Sequence, residues 1–350
     1  MAPPIAPMLA RLVRELPRDG YLYEPKWDGF RCLAFRDGGE LDLRSRNQRP
    51  LSRYFPEVVE ALLRLRERQF VLDGELVAIA EDGFDFETLL ARLHPSASRV
   101  ERLRRETPAS FIAFDVLAVD GDDLRDERLC ERRRRLERLL GDVDPPLYLT
   151  PSSDDPEVAA EWLERFQGSG IDGVVAKHVD LRYEPGRRAM VKVKRERTAD
   201  CVVAGFRWLV ERPLPSSLLL GLYDDDGALR HVGIVSAFSE SKRQELLERL
   251  RPLVVPLAGH VWERGFLLEG GATGRLRGAA GRWDPDLMAQ DWTPLAPELV
   301  CEVAYEQVDD RRFRHPGRFR RWRPDRDPHS CLLTQLELPP IDVGQLLLGS

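Results

Sequence analysis

Residues 21–35, YLYEPKWDGFRCLAF, decide how this chain folds and which chemistry it can carry. The stretch predicts two β-strands around Asp28-Gly29, a pair typical of tight turns. Lys26 comes just before the turn and would be held in a fixed place on the first strand. A lysine in such a place can act as a nucleophile when its amine is neutral, and nearby positive charge favours the neutral form. Lys-x-Asp-Gly also occurs in ordinary surface hairpins, so its partners must come from the rest of the chain.

Lysine is rare in this chain, since only five of its 53 basic residues are lysine. Arginine stands almost everywhere that a plain positive charge suffices. The remaining lysines are therefore candidates for tasks that a permanently protonated guanidinium cannot perform. Lys242 lies in a helical stretch without a motif, and we attribute it to chance. The other four occur in short segments that resemble strands: Lys26, Lys177, Lys192 and Lys194.

Length and composition indicate a protein of one or two domains with a sizeable core, because the 350 residues are 43% hydrophobic. No window approaches 18 consecutive apolar residues, and the N-terminus lacks a basic region followed by an apolar run. Neither a membrane span nor a signal peptide is expected. The five cysteines are scattered without a CxxC pair, which argues against a zinc site or a disulfide framework and fits a reducing cytoplasm.

Acidic and basic residues beyond the first hairpin supply the partners of a phosphate site. Glu75 follows Asp73-Gly74, and Asp172 begins another strand. Lys192 and Lys194 alternate along one strand, so both point to the same face. Carboxylates that can hold Mg²⁺ beside two lysines would form a triphosphate site. Taken alone, each carboxylate could be an exposed turn residue, and the lysine pair could be the solvent-facing side of a half-buried strand. Their combination favours nucleotide binding.

The net charge of −6 argues weakly against nucleic-acid binding, but the charges are unevenly distributed. Residues 311–326, RRFRHPGRFRRWRPDR, carry eight arginines and one acid, with Phe313, Phe319 and Trp322 between them. Such a run is either a solvated face or a surface that binds nucleic acid.

The pattern along the chain predicts an α+β protein whose character changes after about residue 198. Helices are expected at 56–69, 85–93, 126–141, 156–170 and 241–254. Strands are expected at 41–47, 70–80, 110–121, 171–177, 189–194, 200–206 and 298–308, with a hairpin at 217–238. Residues 1–20 are interpreted as a lead-in. We place the domain boundary at Arg197 and Thr198, and we expect the second domain to be a small β-barrel carrying one helix.

Six motifs in order give the chain a family resemblance: EPKWDGFR (24–31), SRN (45–47), VLDGELVA with FIAFDVL (71–78 and 111–117), IDGVVAK (171–177), VKVKRERTAD (191–200) and RWRPDRDP (321–328). The chain resembles the ATP-dependent DNA ligases of the covalent nucleotidyltransferase superfamily, especially the short stand-alone bacterial ligases of the LigC type. This implies an ATP-grasp-like adenylation domain at 1–197, followed at 198–350 by an oligonucleotide-binding (OB-fold) barrel with an Arg-rich C-terminal segment.

The resemblance implies an enzyme that seals 5′-phosphate/3′-hydroxyl nicks in duplex DNA through a lysyl-AMP intermediate, releasing AMP and pyrophosphate. Lys26 would accept AMP from ATP, while Asp28 and Arg31 would position the lysine and the nucleotide or DNA end. Glu75 would contact the ribose and, with Asp172, hold Mg²⁺ or Mn²⁺. Phe114 would stack on adenine. The remaining nucleotide-binding residues would be Glu24, Arg46, Lys177, Lys192, Lys194, Arg323 and Arg326. Of these, Arg46 and the three lysines would bind the phosphates.

Two positions depart from the family pattern. The fourth motif usually begins with glutamate, but Asp172 is one methylene shorter. The last motif usually ends in lysine, whereas Arg326 keeps the charge and changes the geometry. Which residue orients the pyrophosphate therefore stays open.

Several alternatives share part of this pattern. An RNA ligase or an mRNA-capping guanylyltransferase would use the same lysine chemistry, and FIAFDVL with IDGVVAK favours a DNA ligase over both. An NAD-dependent ligase would need a further domain before Lys26, where only 25 residues stand. A non-catalytic binding module would explain the basic segment but not the placement of the lysines. The expected setting is a cytoplasmic, nucleoid-associated monomer in DNA repair or recombination, with nicked DNA and other repair proteins as partners.

Overall fold

The computed structural model describes residues 2–80, 83–165, 171–194, 196–263, 292–309, 311–337 and 346–347; the side chains of Asp172 and Asp309 lie outside this description. The chain divides into two compact units, one formed by residues 1–195 with 338–350 and the other by residues 196–337. The sequence-based boundary at Arg197 and Thr198 lies close to this division, but it assigned the last residues of the chain to the second domain.

The first unit is built on two sheets. Its strands are β1 (Ala10–Val13), β2 (Tyr21–Trp27), β3 (Phe30–Asp37), β4 (Glu40–Ser45), β5 (Gln69–Ala80), β6 (Gly83–Phe84), β7 (Ala109–Val119), β8 (Asp122–Asp123), β9 (Leu147–Leu149), β10 (Ile171–His178) and β11 (Met190–Val193). One sheet has the order β4-β3-β5-β7-β8, with β6 paired to β5 and β9 to β7; the other has the order β1-β11-β10-β2. The hairpin predicted around Asp28-Gly29 therefore connects the two sheets, because β2 belongs to one and β3 to the other.

Helices pack against both sheets of the first unit, and apart from Arg132 their buried residues are apolar. They are α1 (Pro56–Leu63), α2 (Phe86–Ala91), α3 (Ala97–Glu106), α4 (Leu129–Leu140) and α5 (Pro156–Arg165). Helix α1 buries Val58, Ala61 and Leu62 in the core, and α4 adds Leu136 and Leu140. The predicted helix at 56–69 is too long, since the chain turns after Leu63 and enters β5 at Gln69.

Several elements of the first unit were missed by the sequence reading, among them α3 and the strands β1 and β9. Helix α3 buries only Val100, so it lacks the apolar stripe by which a helix is recognised. Strand β1 lies in the segment interpreted as a lead-in. It pairs in parallel with β11, matching Leu12 to Lys192. Such a distant pairing leaves no local signal.

The second unit is a barrel of five main strands. They are β12 (Arg197–Trp208), β13 (Pro215–Tyr223), β14 (Leu229–Val235), β15 (Trp292–Tyr305) and β18 (Arg318–Trp322), with β16 (Val308–Asp309) and β17 (Arg312–Phe313) forming a small extra ladder. The sheet order is β14-β13-β12-β15-β18. A bridge between Val235 and Gly317 joins the two outer edges. With α6 (Glu240–Leu250), the unit matches the predicted small barrel carrying one helix.

The predicted hairpin at 217–238 is confirmed as β13 and β14. Its turn is organised by Asp224, whose carboxylate accepts hydrogen bonds from the backbone N–H groups of Asp226 and Ala228. Gly227 has φ of +74°, a conformation that glycine adopts without strain. Across the described ranges, no helix is both long and apolar enough to cross a bilayer.

Candidate active site

A cavity of about 410 Å³ lies in the first unit, between the N-terminal segment and the strands β2, β10 and β11. Most of the predicted site residues line it: Glu24, Lys26, Arg31, Arg46, Glu75, Phe114, Lys177 and Lys192. Asp28 occupies the turn next to it, and Lys194 follows β11 on the same face as Lys192. Arg323 and Arg326 belong to the second unit. The side chain of Asp172 is outside the described residues.

The turn after β2 fixes the position of Lys26. A Cβ atom on Gly29 would stand 2.1 Å from the carbonyl oxygen of Leu76, so only glycine lets the turn pack against β5. This packing brings the half-buried Lys26 close to Glu75. Burial raises the pKa of Glu75 to about 7, against the opposing influence of Arg31 and Lys26. A lysine and a carboxyl group of perturbed pKa thus share one wall of the cavity.

One end of the cavity is aromatic and acidic. Phe114, on β7, is buried there, and the carboxylate of Glu24, on β2, lies close by. Lys177 Nζ lies 2.7 Å from Glu24 Oε2 and donates to the Phe114 carbonyl oxygen at 3.0 Å. The other oxygen of Glu24, Oε1, is buried without a hydrogen-bond partner among the described residues. Lys177 had been predicted to bind phosphate. Its ammonium is buried against Glu24 and Phe114 at this aromatic end.

Arg31 is held rigidly between the aromatic end and the rest of the site. Its Nε and Nη2 donate to the two oxygens of Asp73, both at 2.6 Å, and the Tyr183 hydroxyl donates to the same carboxylate at 2.6 Å. The Arg31 guanidinium carbon lies 4.2 Å from the centroid of the Phe114 ring, within cation–π range. The two parallel hydrogen bonds fix the orientation of the Arg31 guanidinium. The two acids of Asp73-Gly74-Glu75 therefore have different places: Asp73 accepts from Arg31, whereas Glu75 lines the cavity.

The opposite end of the cavity is cationic. Lys192 lines it from β11, while its neighbours Val191 and Val193 are buried, as the predicted alternation requires. The exposed Arg46 and Arg188 also line the cavity, and neither makes an ion pair with any residue in the described ranges. Arg188 was missed by the sequence reading because it belongs to a loop without a motif. Its only signal is its position two residues before β11.

The donors available to a divalent cation are few. Among the described residues there is no group of three or more His, Cys, Asp or Glu side chains that could hold a metal ion. Glu75 is the carboxylate that lines the cavity beside Lys26. Mg²⁺ is usually held by one or two carboxylates together with substrate phosphates and waters, so this sparse set fits a metal that enters with a nucleotide.

Arginines of the basic segment in the second unit are paired with acids of the same unit. Arg323 Nη1 donates to both oxygens of Asp200 at 2.9 Å, and its Nη2 donates to Asp325 at 3.0 Å. Arg321 pairs with Glu302 at 2.6 Å. Looser or more exposed pairs join Arg326 to Asp200, and Arg318 and Arg320 to Glu196. Acidic residues of the second unit therefore neutralise much of the positive charge that, from the sequence, could have been available to bind nucleic acid.

Family models match both units. An ATP dependent DNA ligase domain covers residues 3–194, and an ATP dependent DNA ligase C terminal region covers residues 211–326. The chain belongs to the ATP-dependent DNA ligase family and is an enzyme that uses ATP.

Individual relatives agree over nearly the whole chain. It is 47% identical to DNA ligase C2 of Mycolicibacterium smegmatis over 344 residues, which cover 97% of this chain and 96% of that protein. It is 46% identical to DNA ligase C of Mycobacterium tuberculosis over 346 residues, 96% of this chain and 95% of that protein. A solved Lig E DNA ligase shares the fold with a TM-score of 0.53 at 19% identity, covering 91% of this chain and 99% of that one. The predicted LigC-type resemblance is confirmed.

Proposed function

We propose that this ligase transfers AMP from ATP to Lys26 and uses the lysyl-AMP to seal 5′-phosphate/3′-hydroxyl nicks in duplex DNA. The observation that carries the proposal is the place of Lys26 on a cavity with one aromatic, acidic end and one cationic end. A nucleoside triphosphate has the same polarity, with a planar base at one end and a charged phosphate chain at the other. The lysine would then lie near the α-phosphate, between the two ends.

The base would be held at the aromatic end. Phe114 offers a ring face for stacking, and Glu24 offers a carboxylate oxygen that lacks a hydrogen-bond partner in the described part of the chain. Adenine presents an amino group at its 6-position, which can donate to that oxygen. Guanine presents a carbonyl there, which would repel it. This difference favours ATP over GTP and so disfavours the capping-enzyme alternative.

The phosphates would lie at the cationic end, where Lys192, Arg46 and Arg188 can bind them, with Lys194 beyond on the same face. Lys177 would instead hold Glu24, because its ammonium already serves that carboxylate and the Phe114 carbonyl. In the first reaction Lys26 Nζ would attack the α-phosphorus, forming a P–N bond while the bond to pyrophosphate breaks and the ammonium proton leaves. Arg31 and Asp28 would orient the lysine and, later, the DNA end.

A divalent cation would be held by the phosphates with Glu75 and Asp172, Mg²⁺ being the expected ion and Mn²⁺ an alternative. Bound there, it would offset the charge that develops on the phosphates. The raised pKa of Glu75 fits a carboxyl group that becomes fully ionised only when a cation is near.

The second unit would contribute Arg323 and Arg326 to the leaving pyrophosphate and afterwards its surface to the DNA backbone. Binding of an incoming phosphate would have to compete with Asp200 and Asp325 for Arg323. We further propose a monomeric, cytoplasmic, nucleoid-associated enzyme of DNA repair or recombination. Nicked duplex DNA would be its substrate, and other repair proteins would be its partners.

The test mixes purified protein with ATP or GTP labelled on the α-phosphate and Mg²⁺, and then adds a nicked duplex. We expect ATP alone to leave label on the protein, with a mass gain of one AMP, and the nick to be closed. Lys26→Arg should take up no label and yet retain slow closure of a nick that is already 5′-adenylated. Labelling of Lys26→Arg at the normal rate would overturn the assignment of the nucleophile.

A further inference from the structure

Helix α4 contains four consecutive arginines, and it presents them to two different environments. Arg132 is buried and Arg133 is largely buried, whereas Arg134 and Arg135 are exposed. This division follows the helical period, since the two inward arginines lie on the same side as Leu129 and Leu136. Buried arginines are rare unless they are paired, so each inward residue needs a specific partner. Arg132 has Asp115, to which it donates two hydrogen bonds at 2.8 and 2.9 Å.

The partner of Arg133 lies at the nucleotide cavity. Its Nη2 donates to the carbonyl oxygen of Thr150 at 2.9 Å, and its Nε donates to Glu137 at 2.7 Å. The remaining nitrogen, Nη1, points to Glu24, with 3.9 Å between Nη1 and Glu24 Oε1. Both of these atoms are buried, and neither has a hydrogen-bond partner in the described ranges. They are oppositely charged and face each other, so they form an ion pair that is slightly too long for a hydrogen bond.

We infer that Arg133 is a positioning residue for base recognition: it orients the Glu24 carboxylate through Oε1, while Lys177 binds Oε2 of the same group. This inference rests on the proposed binding of adenine to Glu24. The Glu24 side chain is only 3% exposed, and Lys177 lies 2.7 Å from its other oxygen. Two cations on different oxygens fix the plane of the carboxylate.

The orientation of Glu24 matters because it decides what the base must offer. A carboxylate accepts hydrogen bonds and donates none, so Oε1 selects a base that presents a donor. A Glu24 carboxylate rotated out of this plane would lose the bond from the 6-amino group and would no longer favour adenine. Arg133 thereby contributes to the choice of nucleotide without touching it. The carbonyl of Thr150 adds a second connection, because the Thr150 hydroxyl accepts from Trp27 Nε1 at 3.0 Å, next to Lys26.

The experiment measures the rate of Lys26 nucleotidylation against concentration for two substrates, ATP and purine riboside triphosphate, which lacks the 6-amino group. The variants are Arg133→Ala, Arg133→Lys and, as a matched control on the same helix, Arg134→Ala. Arg134 is 67% exposed and, among the residues that the structure describes, forms an ion pair only with Glu131 on the surface, so its removal should change the rate with neither substrate.

For Arg133→Ala we expect KM for ATP to rise about tenfold, the size of one charge-assisted hydrogen bond, with kcat within about twofold. KM for purine riboside triphosphate should stay within about twofold of wild type, since that base never bonds to Glu24. Arg133→Lys should recover part of the loss. A purely structural role for Arg133 would weaken both substrates equally and would overturn the inference, as would an unchanged KM for ATP.

Glu24→Gln separates this inference from the proposed function. If wild type takes no label from ATP, or does not prefer ATP to the analogue, the proposed nucleotide site is wrong. A second outcome is that wild type prefers ATP to the analogue, that Glu24→Gln loses this preference and that Arg133→Ala retains it. In that case the nucleotide site stands and only the role of Arg133 is wrong. Should Arg133→Ala fail to fold in a thermal unfolding assay, Arg133→Lys and Arg133→Gln carry the same comparison.

Discussion

The nucleotide cavity and the arginine-rich segment of the barrel use positive charge in opposite ways. At the cavity, Arg46 and Arg188 face the open space and make no ion pair with the residues that the structure describes. In the barrel segment, Arg321 lies against Glu302 of β15, and Arg323 lies against Asp200 of β12. The denser run of arginines in the sequence is therefore the more neutralised region in the structure.

The comparison shows that the number of arginines in a segment does not give the number that are available to bind a ligand. An exposed ion pair contributes little to stability, about 0–1 kcal/mol, so it opens readily when a phosphate competes for the arginine. An arginine that already faces a cavity needs no such exchange. The cavity cations should therefore act on nucleotide binding directly, whereas the barrel arginines should act only where a ligand displaces their acids. Five predictions test this contrast.

The largest effect is expected where an ion pair is fully buried, at Arg132 and Asp115 behind Phe114. Arg132→Ala should lower the free energy of unfolding by about 3–5 kcal/mol, because it leaves the Asp115 carboxylate buried without its partner. The measurement is denaturant unfolding, with Arg134→Ala as the exposed counterpart, which should cost less than about 0.5 kcal/mol. Equal losses from the two variants would remove the distinction between buried and exposed pairs.

The same pair should give a pH dependence of known sign. Burial alone would raise the pKa of Asp115, but Arg132 outweighs it and holds the pKa below its ordinary value. Stability from this carboxylate is therefore present above its unfolded pKa of about 4 and is lost as the pH falls through the lower folded value. Wild type should accordingly lose unfolding free energy below about pH 4, and Asp115→Asn should lose less over the same range.

The next effect concerns Arg323, whose side chain is less exposed than those of Arg321 and Arg326. Arg323→Ala should slow adenylation of Lys26 by about a hundredfold, the usual loss when one donor to developing charge is removed. Closure of a pre-adenylated nick should slow far less. The two steps are measured separately in single-turnover assays. If both steps slowed to the same extent, Arg323 would be a general DNA contact or a structural residue, and the barrel segment would have no special role in the first step.

Arg188 should show a smaller effect. Arg188→Ala should raise KM for ATP about tenfold through loss of one phosphate contact, with little change in kcat. Arg182→Ala is the matched control, because it removes an exposed arginine from the same loop that does not line the cavity. An equal rise in both variants would mean that the loop attracts ATP only through its overall charge. In that case the rise would disappear at high salt.

The smallest effect is expected at Arg326. Its Nε lies 3.7 Å from Asp200 and its Nη2 donates to the carbonyl of Ser330 at 3.3 Å, so it is less tightly held than Arg323. The family resemblance implies a lysine at this position, so Arg326→Lys should change the adenylation rate by no more than about threefold. A loss as large as that of Arg323→Ala would indicate that the planar fork of Arg326 is itself required.

Local patterns were sufficient for the main elements of the fold. The Asp28-Gly29 turn, the hairpin around Asp224 and the helix α4 are encoded by neighbouring residues, because turn chemistry and helical period act over a few positions. The lysines of the first unit were found in the same way, through their scarcity and through the alternation of Lys192 with buried valines. Helix α3 and strand β1 were missed, since one lacks an apolar stripe and the other exists only through its pairing with β11.

The sequence by itself was sufficient for the family, the order of the domains and the proposal that Lys26 is the nucleophile, because these depend on residue types in a fixed local order. The tertiary structure alone decided which charges are available. It buried Lys177 against Glu24, directed Arg133 to the same carboxylate, placed Arg188 at the cavity and paired Arg323 of the barrel with Asp200, more than a hundred residues away. The physical reason is that an ion pair depends on distance in space and on exclusion of water, and neither quantity is fixed by separation along the chain.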